Sequence, residues 1–101
     1  MDGFTALSDP TRRDIVELLA HGEQAAGEIG SHFPISAPAV SQHLKALRES
    51  GLVRVRVEGQ RRVYSLDPNG FAAMDQWFAR MRRFWSGRLD ALEQALEGEG
   101  E

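Results

Sequence analysis

The chain has 101 residues, a net charge of −3 and no cysteine. That length fits a single domain, and the missing cysteine excludes disulfides, thiolate metal ligands and cysteine nucleophiles. A hydrophobic fraction of 42%, with two Trp and five Phe, marks a chain that folds around a core. No apolar run approaches the roughly 20 residues that cross a bilayer. "MDGFTALSDP" lacks the basic and apolar regions of a signal peptide, so a cytoplasmic location is expected.

In chain order, "GFTAL" fits a short helix with Phe4 and Leu7 one turn apart. "SDPTRRDIVELLAHG" reads as a helix with marked ends. Ser8 or Asp9 caps it, Pro10 suits its first turn and Gly22 stops it. Ile15, Leu18 and Leu19 form its buried stripe, with Val16 alongside. "EQAAGEIGSHF" predicts a shorter helix with Ala26, Ile29 and Phe33 inward, weakened by two glycines.

Ser36 then caps a helix that carries Pro38 in its first turn and ends at Gly51. Val40, Leu44 and Leu47 recur at steps of 4 and 3 and share its buried face. Pro38, Ala39, Gln42, Lys45, Ala46 and Glu49 fall broadly opposite, with Ser41 and His43 on the flanks. "VRVRV" alternates strictly, which predicts a strand with Val on one face and Arg on the other. "EGQR" is turn chemistry with Gly59 free to take positive φ. "RVYSL" is the returning strand, its inward face open between Val63 and Tyr64.

"DPNG" opens the last helix. Its apolar stripe, Phe71, Met74, Phe78, Met81, Trp85, Leu89, Leu92 and Leu96, is heptad-like with one stutter, and Trp77 and Phe84 widen it. One small domain cannot easily cover so many large apolar side chains, and a domain of this size gains from a dimer interface.

The charge is unevenly placed. Residues 36–66 carry six cations against two carboxylates, a local +4, whereas the final "EGEGE" carries −3. A local basic surface matters more to a polyanion than the whole-chain sum. Two short helices before a basic hairpin read as a winged helix-turn-helix, mainly α with a small β-hairpin, in the order α-α-α-α-β-β-α. In such a module the second helix of the pair lies in the major groove and the hairpin reaches over the backbone. Ala37, Ala39 and Ala46 keep that helix narrow, and Ser36, Ser41, Gln42 and His43 supply short donors and acceptors. Lys45, Arg54 and Arg56 can neutralise phosphates, and Arg61 and Arg62 sit beside the hairpin tip, where a narrow minor groove attracts arginine. The DNA-contacting set expected is therefore Ser36, Ala37, Pro38, Ser41, Gln42, His43, Lys45, Arg54, Arg56, Arg61 and Arg62.

"ALSDPTRRDIVELL", "ISAPAVSQHLKALRESGLV" and "EGQRRVYSL" together resemble the arsenic-repressor (ArsR/SmtB) family of bacterial regulators. The resemblance runs from about Phe4 to Leu66, and the final helix is compatible with it. It implies a homodimeric repressor whose first and last helices build the dimer, here through Phe4, Leu7, Phe71, Met74, Trp77, Phe78, Met81, Trp85, Leu89 and Leu92. It also implies an inducer, and here the chain departs from the metal-sensing members. "AAGEIGSHF" has no cysteine, and the last helix offers Asp75, Asp90 and Glu93 but no histidine. A zinc site without His or Cys is poor, so no metal and no other cofactor is expected. The readings that remain are a small apolar inducer at the dimer interface, a protein partner, or a regulator that simply holds down its own promoter.

No Gly-rich phosphate loop or His/Cys cluster supports an enzyme. The serious rival is a winged helix used only for dimerisation or protein interaction, which has no need of the local +4. One domain is expected over 1–97, closing with a dimerisation helix over about 69–97, with 98–101 an acidic, disordered tail.

Overall fold

The computed structural model describes residues 1–99. Its order is α1 (Gly3–Ala6), α2 (Pro10–Ala20), β1 (Gln24–Ala25), α3 (Ala26–Gly30), α4 (Ala37–Glu49), β2 (Val53–Glu58), β3 (Arg61–Leu66) and α5 (Pro68–Glu99). The Asp2 side chain caps α1 by accepting from the Thr5 N–H at 2.7 Å. Asp9 caps α2 by accepting from the Arg12 N–H at 3.1 Å. Arg12 Nε donates to the Ala6 carbonyl at 2.6 Å and Arg13 Nη1 to the Leu7 carbonyl at 3.0 Å. The start of α2 thus satisfies carbonyls that the end of α1 leaves without intrahelical partners.

The helix expected over "EQAAGEIGSHF" is shorter than its sequence suggests. Gln24 and Ala25 form β1 instead, pairing antiparallel with Tyr64 and Val63. The helix occupies only Ala26–Gly30, so Phe33 lies beyond its end, half-buried against the core. The glycines at 27 and 30 leave that helix little intrinsic stability, and pairing with β3 satisfies the backbone ahead of it. The expected two-stranded hairpin is therefore a three-stranded antiparallel sheet in the order β1-β3-β2. Its central strand is β3, which resolves the inward-face question: Val63 and Tyr64 are both buried. Tyr64 joins the main core, and Val63 stands opposite Ala25 on the other face.

The core joins Ile15 and Leu19 of α2, Ile29 of α3, Val40, Leu44 and Leu47 of α4, Leu52, Val53 and Tyr64. Each large aliphatic side chain so buried contributes about 1.5–3 kcal/mol. The alternation in β2 holds for Val53 and Val55 and fails at Val57, which is 72% exposed. The hairpin extends past the core there and has nothing to pack Val57 against. Gly59, at φ +64, is the first of two turn residues between Glu58 and Arg61, as a type II′ hairpin turn requires.

The last helix has 32 residues, a length of about 48 Å at 1.5 Å per residue. Within the fold its principal contact is with α1, and the rest projects outward. The chain measures 68 × 27 × 23 Å with a radius of gyration of 19.1 Å, against about 13 Å for a compact chain of this length. The helix reaches Glu99, two residues past the expected boundary, and the remainder of the acidic tail placed at 98–101 lies outside the described residues. Among the described residues no helix is long and apolar enough to cross a membrane.

Candidate nucleic-acid interface

The position of α4 follows from its ends and its stripe. At the N-terminus Ser36 Oγ accepts from the Ala39 N–H at 3.2 Å, and Pro38 lies in the first turn. At the C-terminus Gly51, with φ +80, takes the left-handed position. The Gly51 N–H bonds to the Arg48 carbonyl and the Leu52 N–H to the Leu47 carbonyl, both at 3.0 Å. This is a Schellman ending with an apolar residue folded back, and Leu52 is fully buried. With Val40, Leu44 and Leu47 buried inward, Ala37, Pro38, Ser41, Gln42 and Lys45 are left exposed. The exposed face is narrow at its start and polar along its length, as entry into a major groove demands.

His43 is placed differently from its expected partners. It is half-buried and near Asp9, the cap of α2. The Arg12 N–H holds the Asp9 carboxyl below its ordinary pKa, and the charge of His43 adds to that effect. His43 therefore borders the cap of α2, whereas Ser41, Gln42 and Lys45 face outward.

Strand alternation divides the wing arginines. Val53, Val55 and Val57 stand opposite Leu66, Tyr64 and Arg62, whereas Arg54, Arg56 and Glu58 stand opposite Ser65, Val63 and Arg61. Because Tyr64 faces the core, Arg62 shares the face turned toward α4, and Arg61, read as its pair, is on the other face. Arg62 lines a cleft of about 400 Å³ with Ser41, Lys45, Arg48, Tyr64 and Ala26. Three cations and two hydroxyl-bearing side chains thus meet where α4 and the hairpin converge, a set suited to a phosphodiester oxygen. Arg48 was absent from the expected contact set. Its spacing was the available signal, since it follows Ser41 by seven residues and Lys45 by three.

On the opposite face the arginines have carboxylate partners. Arg56 Nη1 donates to Glu23 Oε2, and Arg56 Nη2 donates to Glu23 Oε1 at 2.7 Å and to Glu58 Oε2 at 3.0 Å. Arg61 Nη2 donates to Glu28 Oε1 at 2.6 Å. The same Glu28 oxygen accepts from the Ala25 N–H at 3.2 Å. The bond from Arg56 holds Glu23 below the ordinary carboxylate range, and its hydrogen bonds to Glu23 and Glu58 raise Arg56 above the usual guanidinium value. Arg54 is exposed on this face and has no ion-pair partner among the described residues.

Of the residues expected at a dimer interface, Leu7, Phe71 and Met74 pack against the chain's own core, and Met81 is half-buried. Phe4, Trp77, Phe78, Trp85, Leu89 and Leu92 are exposed. Phe4, Trp77 and Phe78 form a three-ring, edge-to-face cluster with centroids 5.3–5.7 Å apart. Among the described residues no group of three or more His, Asp or Glu side chains is gathered as a metal would require.

A helical core whose α3–α4 pair presents one polar helix face, followed by an arginine-bearing hairpin, defines a winged helix-turn-helix DNA-binding protein. Residues 9–55 match the family model described as bacterial regulatory protein, arsR family. The chain is 50% identical over 98 residues to the HTH-type transcriptional regulator Rv2034 of Mycobacterium tuberculosis, covering 97% of this chain and 89% of that protein. It is 45% identical over 64 residues to the transcriptional repressor SdpR of Bacillus subtilis, covering 63% of this chain and 71% of that one. Among solved structures, an ArsR-like transcriptional regulator from Rhodococcus sp. RHA1 is similar with a TM-score of 0.74 at 32% identity, over 90% of this chain and 86% of that one. The chain belongs to the ArsR family. It is a DNA-binding transcriptional regulator and not an enzyme.

Proposed function

We propose that this regulator acts in the cytoplasm as a homodimeric repressor on a palindromic operator. The observation that carries the reading is the apolar face of α5. Trp85, Leu89 and Leu92 are 55–60% exposed at intervals of four and three residues, beyond the protomer's own core. A second copy laid along α1 and α5 would cover that face and the Phe4–Trp77–Phe78 cluster. The aromatic cluster is also the place for a small apolar inducer. Such a ligand would change the spacing of the two recognition helices only as far as its affinities for the two states differ.

In that dimer two α4 helices enter successive major grooves, with half-site centres about 34 Å apart. Ser41 and Gln42 read base edges, and the exposed start of the helix at Ser36, Ala37 and Pro38 admits close approach. Lys45, Arg48 and Arg62 take backbone phosphate. Arg54 meets phosphate from the outer face of the wing, and Arg56 and Arg61 do so by exchanging carboxylate for phosphate. His43 has a supporting place beside Asp9.

The test is fluorescence anisotropy with the protein's own upstream DNA and a scrambled duplex, alongside sedimentation. A dimer with a preference of about a thousandfold or more supports the proposal. A monomer with equal, weak binding to both duplexes refutes it. The regulator does not sense metal in this reading, because Asp75, Asp90 and Glu93 on α5 lack a histidine or cysteine to complete a zinc set. Zinc, nickel or arsenite releasing the DNA complex at micromolar concentration would overturn that.

A further inference from the structure

We infer that Glu23 and Glu28 are specificity-determining residues that act as built-in competitors of DNA phosphate for the wing arginines Arg56 and Arg61. The inference rests on the DNA-binding reading of the wing and adds the carboxylates that restrain it.

Glu23 precedes β1 and shares with Ala25 the face on which Arg56 stands. It meets the Arg56 guanidinium through both oxygens, the fork geometry in which arginine also receives a phosphate. Glu28 is held from two sides, by the Ala25 N–H and by Arg61 Nη2. Its oxygen is therefore aimed at the wing by the backbone of the α3 start. The two clusters together place three carboxylates, with Glu58, against two guanidinium groups. With Arg54 on the same face the carboxylates balance the guanidinium groups, so this face of the wing is about neutral, whereas the cleft of Lys45, Arg48 and Arg62 is positive.

All of these side chains are about half-exposed or more, so their pairs are exchangeable rather than buried and permanent. The Glu28–Arg61 pair lines an open groove of about 610 Å³ between the start of α3 and the wing tip, which Arg62 also borders. A phosphate that takes Arg61 must displace Glu28, and the freed carboxylate regains a counterion. Part of the counterion release that drives non-specific binding is thereby cancelled. Only a duplex that seats α4 and presses the wing onto the backbone supplies the contacts to complete the exchange. The carboxylates therefore weaken binding to arbitrary DNA more than binding to the operator.

The experiment compares the intact protein with Glu28→Gln and Glu23→Gln, in Arg61 and Arg61→Gln backgrounds for the first and Arg56 and Arg56→Gln backgrounds for the second. Glutamine keeps an acceptor for the Ala25 N–H, and circular dichroism confirms that each variant is folded. Affinity for a duplex of arbitrary sequence and for the protein's own upstream DNA is measured across a salt series. The expected result for each Glu→Gln variant is a several-fold gain on the arbitrary duplex, a smaller gain on the upstream DNA, and a log–log salt slope on the arbitrary duplex steeper by up to roughly 0.9 for each arginine released. Each gain should disappear when the partner arginine is already glutamine, as a direct coupling requires. A gain that persists without the arginine is a through-space effect of the lost charge and overturns the proposal, as does no gain at all. If the intact protein and every variant fail to bind any duplex at low salt, the DNA-binding reading of the wing fails, and this proposal with it.

Discussion

At the scale of single residues, two surfaces with different chemistry lie side by side. Gln42 is exposed on the free face of α4, where an amide can make a bidentate pair with adenine. Gln42→Ala should cost on the order of 1–3 kcal/mol at one base position and relax the preference there. Binding to a set of singly substituted operators checks this, and a uniform loss across all of them would make Gln42 a backbone contact. Arg48 and Arg62 share the cleft between helix and wing. Replacing either by glutamine should weaken all duplexes alike and flatten the log–log salt slope by roughly 0.9, read from the same titrations at several salt concentrations.

Asp9 is a residue whose role is stability. It caps α2 through the Arg12 N–H, and its pKa is lowered from 3.8, by that bond first. A carboxyl with a depressed pKa in the fold contributes fully above its unfolded value and loses that contribution as pH falls through its folded value. Asp9→Ala should cost about 1 kcal/mol near neutral pH. Asp9→Asn keeps a capping oxygen but not the titration. Thermal melts of the native protein and the Asn variant should therefore differ above about pH 4 and converge in stronger acid.

At the scale of elements, the decisive junction is the one between α4, β2 and α5. Gly51 ends α4 at positive φ, and the Leu52 carbonyl accepts from the Asp67 N–H at 2.9 Å. The start of α5 passes so near this turn that a Cβ on Gly70 would lie 2.1 Å from the Gly51 carbonyl oxygen. Backbone on both sides leaves no flexible side chain to move away. Gly70→Ala should destabilise the fold by about 1–3 kcal/mol or more, measured as a lower denaturant midpoint. A neutral outcome would mean that α5 can shift at its root. The helices α2 and α4 were legible in the sequence because caps, spacing and stops agreed at Asp9, Ser36 and Gly51. The short strand β1 was not. "EQAAGEIG" has helical composition, and only the edge of β3, brought there by the rest of the fold, turns Gln24 and Ala25 into a strand.

At the scale of the whole molecule, a small domain carries a long helix with a sparsely covered apolar stripe. In the proposed dimer, Trp85 and Leu89 lie at the centre of what a second copy covers. Replacing both with glutamate should give a monomer by sedimentation while the protomer keeps its helical signal, since neither belongs to its core. DNA affinity should fall with the dimer, because two half-sites are then no longer linked. A variant that stays dimeric would move the interface toward Phe4, Trp77 and Phe78.

The sequence by itself determined the helix ends, the buried stripes of α2 and α4, the basic hairpin and the unusual apolar length of α5. These are local properties, set by period, capping chemistry and turn residues within a few positions. Its motifs together also marked the family. Only the tertiary structure decided which arginine faces the recognition helix. Arg61 and Arg62 are adjacent in the chain, yet strand alternation and the packing of Tyr64 send them to opposite sides. One then meets Glu28, and the other joins Lys45 and Arg48. Those partners lie 14 to 33 residues away, and no local pattern encodes a charge pair that forms only when β1, α3 and α4 are folded around β3.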